Sequence, residues 1–411
     1  NGWTVQQLTS LDYRGWIDPE DEFYDEPLGY KRETILKDSL KKRYVKIEKG
    51  DFDIVLNGNI ADRQRTIIID SRKYIPLYYD EFFKYSHLPT SDYQLFFGRS
   101  YETGSIYYAG SKIITKTIAE ETQIPAENGF VYAVDRIVEP MENLEEIMLE
   151  EVDEPDNKNY SEFLSLIYEF AEFSYDEEET NKQEGAEEGK AVDSLFRLRY
   201  DELPFNINAE QVGNVSSVTN YTIREHNTLL APTNKAMEDL FHSITRASGS
   251  PYWAERNAIP PQIIEIILKS HMTSDPVYQS DLQKGFTNSE NDSIAIDQSK
   301  IEHVEYGSNG IFYGLKEAIT PRVFTSVTAP VYLRPGYSSF FYALEDTEML
   351  PAIKRSDKKF SFFIVPNTIL ANDSSLLFKW DDKEANRYHF EALNRSDLTM
   401  TRIRTPELKK I

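Results

Sequence analysis

Hydrophobic positions break the chain into short periodic stretches separated by long acidic ones. After an irregular acidic and aromatic lead-in over residues 1–32, Ile35, Leu36, Leu40 and Tyr44 recur at helical spacing and predict a helix over Glu33–Ile47. The apolar run Thr66–Ile69 predicts a short buried strand. Pro76–Ser86, with Leu77, Phe82, Phe83 and Tyr85, predicts a helix opened by proline, whose missing N–H costs nothing in a first turn. Phe163, Leu166, Ile167, Phe170 and Phe173 predict an amphipathic helix over Tyr160–Phe173. Asn227–Asn234 reads as an apolar strand running into a Pro232-Thr233-Asn234 turn, where Thr233 or Asn234 can cap the helix that follows. That helix carries Met237, Leu240, Phe241 and Ile244 on one face. Ser338–Leu350 predicts another opening helix, and Ser361–Thr368 repeats the strand-into-proline-turn pattern.

Two long stretches share an ordered set of anchors. Ile75-Pro76, Glu81, Ser86-His87, Thr90-Ser91-Asp92, Ser105-Ile106, Ser111-Lys112-Ile113, Asn128-Gly129-Phe130-Val131-Tyr132 and Pro140 run parallel to a later set. The later set is Ile259-Pro260, Glu265, Ser270-His271, Thr273-Ser274-Asp275, Ser293-Ile294, Ser299-Lys300-Ile301, Asn309-Gly310-Ile311-Phe312-Tyr313 and Pro321. Loop lengths drift while the order holds, so the repeat is domain-sized, far longer than the roughly 20–50-residue period of a solenoid. In each Asn-Gly pair the glycine is expected at positive φ, with the asparagine capping a turn into a strand. The chain is thus expected to divide into a module over 1–140, an acidic linker over 141–158, a second module over 159–321 with an acidic insertion over about 176–220, a linker over 322–335, and a third module over 336–411 in which no Asn-Gly-x-x-Tyr box follows.

Composition narrows the chemistry. The 411 residues fit two or three domains. The net charge of −24 argues against nucleic acid, whose phosphates need a basic face. Acid residues concentrate in Asp18–Glu26, Glu145–Asp156 and Asp176–Glu188, read as solvated linkers and loops; none has the alternating oxygen spacing of a calcium loop. There is no cysteine, and no apolar run long enough for a membrane-spanning helix. The sequence opens on Asn1 with no signal-peptide pattern, so a chain processed or incomplete at its N-terminus is expected. No phosphate loop, zinc-protease motif or nucleophile elbow occurs. His87 and His271 recur at one repeat position and read as packing residues at helix ends, since no second histidine or carboxylate cluster accompanies them at a fixed offset. No catalytic residue, metal site or cofactor is expected.

Tyr74–Tyr108 is dense in aromatics. Adjacent pairs such as Tyr78-Tyr79, Phe82-Phe83, Phe96-Phe97 and Tyr107-Tyr108 cannot all face inward on strands, where neighbours point to opposite sides. One reading is a core face with scattered exposed tyrosines; the other is a contact surface made by Tyr78, Tyr79, Tyr93, Tyr101, Tyr107 and Tyr108. Three Asp-Ser-aliphatic triplets, centred on Ser39, Ser194 and Ser293, resemble a bacterial surface O-glycosylation signal.

The apolar strand ending in Leu229-Leu230-Ala231-Pro232-Thr233-Asn234, the middle segment Ile266–Met272 and the closing Asn309–Ile319 box together resemble the fasciclin-like domain. The first module resembles it from about Ile75 to Pro140, and the third only in its first half. The resemblance implies an α+β fold of tandem fasciclin-like modules, each a β-sandwich-like core with helices packed along its edge. It implies a non-enzymatic array for adhesion and assembly on the extracellular face of a bacterial outer membrane, held by a lipid anchor upstream of this chain. The implied partners are envelope proteins, an outer-membrane receptor or lipoprotein, in some cases beside a nutrient importer. The Tyr-His pair that contributes to receptor binding in some animal relatives is absent, because Ser86 and Ser270 precede the two histidines. A glycan-binding or adhesion protein using the tyrosine surface is the alternative; a hydrolase, third, requires two carboxylates about 5–10 Å apart in a cleft.

Overall fold

The computed structural model describes residues 30–33, 42–46, 64–68, 74–114, 124–127, 129–138, 141–153, 159–182, 194–209, 220–222, 226–245, 252–372, 376–381 and 387–403. They form a mixture of helices and small sheets, an α+β architecture. Two compact units share the chain. One takes Asn1–Ala236, His271–Ser289 and Ser293–Glu317; the other takes Met237–Ser270, Glu290–Asp292 and Ala318–Ile411.

The first unit holds three main sheets. The best-defined one orders its strands Met272–Thr273, Asn227–Pro232, Gly310–Leu315 and Ile301–Tyr306. Its two central strands run parallel, from Asn227 opposite Gly310 to Pro232 opposite Leu315, and every residue of both is buried. Continuous apolar runs such as Leu229-Leu230-Ala231 suit this position, because a parallel strand covered on both faces has no polar side to keep wet. A second sheet pairs 220–222, 30–33, 74–78, 107–108 and 111–112, all antiparallel; a third places 42–46, 64–68, 195–199 and 172–175 side by side.

Several expectations are corrected here. Lys42–Lys46 is a strand paired antiparallel with Gln64–Ile68, so no helix runs through Glu33–Ile47; residues 34–41 lie outside the described set. Tyr74–Tyr78 is also a strand, and the helix expected from Pro76 begins only at Asp80. Pairing with residues 30–33 on one side and 107–108 on the other overrides the local proline signal.

Residues 141–153 are not a linker. Asn143 and Glu146 cap one another reciprocally, each side chain accepting from the other's backbone amide at 2.9 Å, and start the helix Leu144–Asp153. Leu144, Ile147 and Met148 form its buried stripe at i, i+3 and i+4. Nor is the stretch 322–335 a free connector. A 3₁₀ turn at Arg322–Phe324 and a helix at Ala329–Leu333 bury Val323, Phe324, Val331 and Tyr332, and Trp253 Nε1 donates to Tyr332 O at 2.7 Å.

The acidic insertion likewise divides. Residues 183–193 lie outside the described set, but Leu195, Leu198, Tyr200, Leu203, Phe205 and Ile207 are core residues. The compact units therefore do not follow divisions at 140, 159 and 321.

The two repeated stretches nevertheless share an order of elements. Asp80–Ser86 and Pro261–Ser270 are helices; Thr90–Phe97 and Gln279–Lys284 are helices closed by positive-φ Gly98 and Gly285; hairpins follow whose second strands start at Gly129 and Gly310. The repeated histidines part company. His87 is an exposed left-handed C-cap, whereas His271 is fully buried with its ring 5.5 Å from that of Phe163.

The second unit contains the antiparallel sheet 376–381, 387–394 and 399–402 and the helix Ser338–Thr347. The strand expected over Ser361–Val365 does not form, although the proline turn does: Pro366 caps the short helix Asn367–Leu370.

Candidate functional site

The tyrosine surface is overturned. Tyr78, Tyr79, Tyr93, Tyr101, Tyr107 and Tyr108 are all buried, none above 9% exposed. Adjacent aromatics both reach the interior because the chain changes direction between them. Tyr78 ends a strand while Tyr79 precedes a helix, and Phe82-Phe83 lie on that helix. The rings pack edge to face around Tyr78, whose centroid is 5.2 Å from Tyr93 and 5.5 Å from Phe97. Two of the hydroxyls have defined partners: Tyr93 donates to Ala109 O at 2.7 Å, and Tyr101 reaches Asp80 Oδ1 at 2.6 Å and Ser105 O at 2.7 Å. Asp80 in turn accepts from the amide of Gly104, at φ +80°, and so shapes the loop.

Deeper in the same unit, the hydroxyls of Tyr78 and Tyr278 converge on that of Tyr306. The approach is close enough for Tyr306 to influence both, yet none of the three makes a hydrogen bond of ordinary geometry. Tyr306 also stacks on the buried His226 ring at 4.6 Å. Burial pushes all three phenols, and Tyr313, above the ordinary tyrosine range, so they stay protonated and cannot act as bases. Beside them Asp92 is 3% exposed and accepts from the Ser280 amide at 3.2 Å; burial raises its carboxyl above the usual range despite that bond. The cluster is covered core.

The three candidate glycosylation sites have different settings. Ser194 and Ser293 are exposed, and Ser39 lies outside the described residues. The acid of the third triplet is not accessible: Asp292, 5% exposed, lies 3.2 Å from Lys354 Nζ and 3.8 Å from Arg322 Nε. No group of His, Asp and Glu able to hold a metal ion occurs among the described residues, and no described helix is long and apolar enough to cross a membrane.

Asparagines carry functions that spacing alone did not reveal. Asn309 is fully buried; its Oδ1 accepts from Leu144 N at 2.9 Å, and its Nδ2 donates to Ile207 O and Ala209 O at 2.9 and 2.8 Å. The glycine after it is needed for a reason other than positive φ: a Cβ on Gly310 would lie 2.5 Å from Leu144 Cδ1 and 3.0 Å from Asn227 O. Gly310 is thus a close-approach glycine.

Thr233 caps its helix through Ala236 N at 3.2 Å, as expected, while Asn234 turns away to a different helix. Asn234 Oδ1 accepts from Glu162 N at 2.9 Å and its Nδ2 donates to Ser161 Oγ at 2.9 Å, clamping the start of the helix Ser161–Tyr168. In the second unit Asn367 does the same. Its Oδ1 accepts from Ser339 N at 3.1 Å and its Nδ2 donates to Ser338 Oγ at 2.9 Å, at the start of the helix Ser338–Thr347. The shared signal in the sequence is a Tyr-Ser pair, Tyr160-Ser161 and Tyr337-Ser338, followed later by a proline-turn asparagine.

Counted from the clamp asparagine, Phe362-Phe363-Ile364-Val365 stands where the earlier stretch has Leu229-Leu230-Ala231-Pro232. The outcomes are opposite. Leu229, Leu230 and Ala231 are completely buried, whereas Phe363 is 89% exposed, with Phe360 and Ile369 exposed nearby. Phe362 alone is seated, its ring 6.3 Å from that of Phe340 in edge-to-face contact. This apolar segment is the candidate interaction site. No family model matches the chain, and no curated protein is significantly similar to it.

Proposed function

We propose that the chain is a non-enzymatic array of fasciclin-like modules that acts by protein–protein contact within an outer-membrane complex, at the extracellular face of a bacterial envelope and held there by a lipid anchor. The observation that carries the reading is the repeated asparagine clamp, Asn234 on Ser161 and Glu162 and Asn367 on Ser338 and Ser339, which ties a proline turn to an opening helix in the same way twice. Recurrence of one joint in two places supports an array of one module type, and linked modules multiply affinity through effective concentration. The exposure of Phe363, with Phe360 and Ile369 also exposed within nine residues of sequence, favours a protein partner. The glycan-binding alternative loses its platform, since the six tyrosines proposed for it are core residues.

The test is purification from the native membrane in mild detergent with identification of what accompanies the chain. A stoichiometric outer-membrane receptor or lipoprotein supports the complex. A lone monomer retained on a polysaccharide column and released by soluble glycan overturns it.

A further inference from the structure

We propose that Phe360–Val365 is an acceptor for an extended strand of another polypeptide, apolar along its length and acidic at the end that lies beside Lys358 and Lys359. The proposal rests on the interaction-array reading above and names the site and partner chemistry for it.

The first argument is a mismatch between composition and surroundings. Phe362-Phe363-Ile364-Val365 is a continuous apolar run, the pattern of a strand covered on both faces. Among the described residues, no backbone group from Phe360 to Val365 takes part in a backbone–backbone hydrogen bond, and the segment belongs to no sheet. Its equivalent under the same clamp, Asn227–Pro232, has a strand on each side. The second argument is preorganisation. Asn367 holds the C-terminal end of the segment through Ser338, Ser339 and Pro335, and Phe362 is seated against Phe340, so the segment is fixed while Phe363 faces outward. An acceptor already held in place loses little freedom when a strand adds to it by main-chain hydrogen bonds.

Charge selects the occupant. Arg355 is paired with Asp357, but Lys358 and Lys359 are exposed and in no ion pair among the described residues, directly before Phe360. In a chain of net charge −24 this is a local cationic end, complementary to carboxylates. A second copy fits less well: in an antiparallel pair symmetric about Phe363, the lysines would face Asn367 and Thr368, which carry no charge.

The test uses the full chain and two synthetic valine-rich peptides, one flanked at both ends by two glutamates and one by two lysines, so that the charge lies beside Lys358 and Lys359 in either strand direction. Fluorescence anisotropy should show the glutamate peptide binding about tenfold or more tightly than the lysine peptide. Phe363→Asp, at an exposed position that leaves the fold intact by circular dichroism, should weaken that binding about tenfold or more. Lys358→Glu with Lys359→Glu should reverse the preference. Amides of Phe360–Val365 should exchange rapidly in the free chain and slowly with the glutamate peptide. Binding indifferent to peptide charge and to Phe363→Asp overturns the proposal, as does a concentration-dependent dimer of the chain that Phe363→Asp abolishes. Slow exchange at Phe360–Val365 in the free chain also overturns it, while leaving the array reading to be decided by co-purification.

Discussion

The side chain of Asn309 accepts a hydrogen bond at 2.9 Å from the backbone amide of Leu144, 165 positions earlier in the chain. One carboxamide thereby caps the helix Leu144–Asp153 and holds the loop Ile207–Ala209 through its two donor hydrogens. Removing it takes the partner from the Leu144 amide and the Ala209 carbonyl, while Ile207 O keeps the Glu145 amide at 3.1 Å. Asn309→Ala is expected to lower unfolding free energy by about 2–4 kcal/mol, since each unsatisfied buried group costs roughly 1–3 and neighbours relax in part. Urea denaturation checks this; a loss below about 0.5 kcal/mol, the level of ordinary surface changes, contradicts the role assigned to Asn309.

The glycine four residues beyond Gly310 makes a second test. A Cβ on Gly314 would overlap the Tyr160 hydroxyl and lie 2.7 Å from Tyr160 Cζ. Tyr160 is 1% exposed and packs edge to face on Phe312, so the ring has no free direction to move. Gly314→Ala is expected to destabilise by about 1–3 kcal/mol through overpacking. Tyr160→Phe should recover only part of it, because the ring carbons remain too close.

The paired clamps predict paired effects. Asn234→Ala and Asn367→Ala each remove an N-terminal acceptor from a helix, at a cost of about 1–2 kcal/mol. Both should be rescued in part by Asp, which keeps the acceptor oxygen and loses the donor to Ser161 or Ser338. Thermal melts of the four variants decide whether the two joints are equivalent.

Asp92 gives a pH dependence with a defined sign. Burial raises its folded-state carboxyl above the unfolded value of about 3.9, so the native state holds the proton more tightly. Its contribution to stability is fully present below the unfolded value and is lost as pH rises through the folded one. Asp92→Asn has no such proton. The stability of Asp92→Asn relative to the native chain should therefore increase from about pH 4 upward and level off once the folded value is passed. A difference that is flat with pH would remove Asp92 from the account.

The buried phenols act at the opposite end of the scale. Tyr78, Tyr278, Tyr306 and Tyr313 all have folded-state values pushed upward by burial. Their neutral forms stabilise the fold below about pH 10, the unfolded value, and that contribution falls away above it. Tyrosinate absorbance should rise in two steps, exposed tyrosines first and the buried ones only together with loss of circular dichroism. Tyr306→Phe should shift the second step to higher pH.

How much of this was legible depended on whether local pattern and tertiary setting agreed. Leu229-Leu230-Ala231-Pro232 announces a buried strand and a proline turn, and the core sheet bears it out. In Leu144–Asp153 the charge density hides a three-residue apolar stripe and a reciprocal Asn143–Glu146 cap, so a helix reads as a linker. Tyr44 at helical spacing lost to strand pairing with Gln64–Ile68, a contact no local window contains. The aromatic pairs are no surface signal because strand alternation does not hold where the chain turns from strand into helix after Tyr78. The clamp on Ser161 and Ser338 leaves no local signal because its asparagines lie 73 and 29 positions from the serines they hold.

The long reach of Asn309 also sets a timetable for the growing chain. At about 5–20 residues per second, a ribosome needs on the order of ten seconds after Leu144 to supply the asparagine that caps its helix. Through that interval Leu144, Ile147 and Met148 have no Gly310–Leu315 strand to lie against, and the strand Asn227–Pro232 emerges before either of its neighbours. The nascent chain therefore carries this apolar surface uncovered for most of its synthesis, and a chain stalled just short of residue 309 is expected to bind a factor that shields such surface.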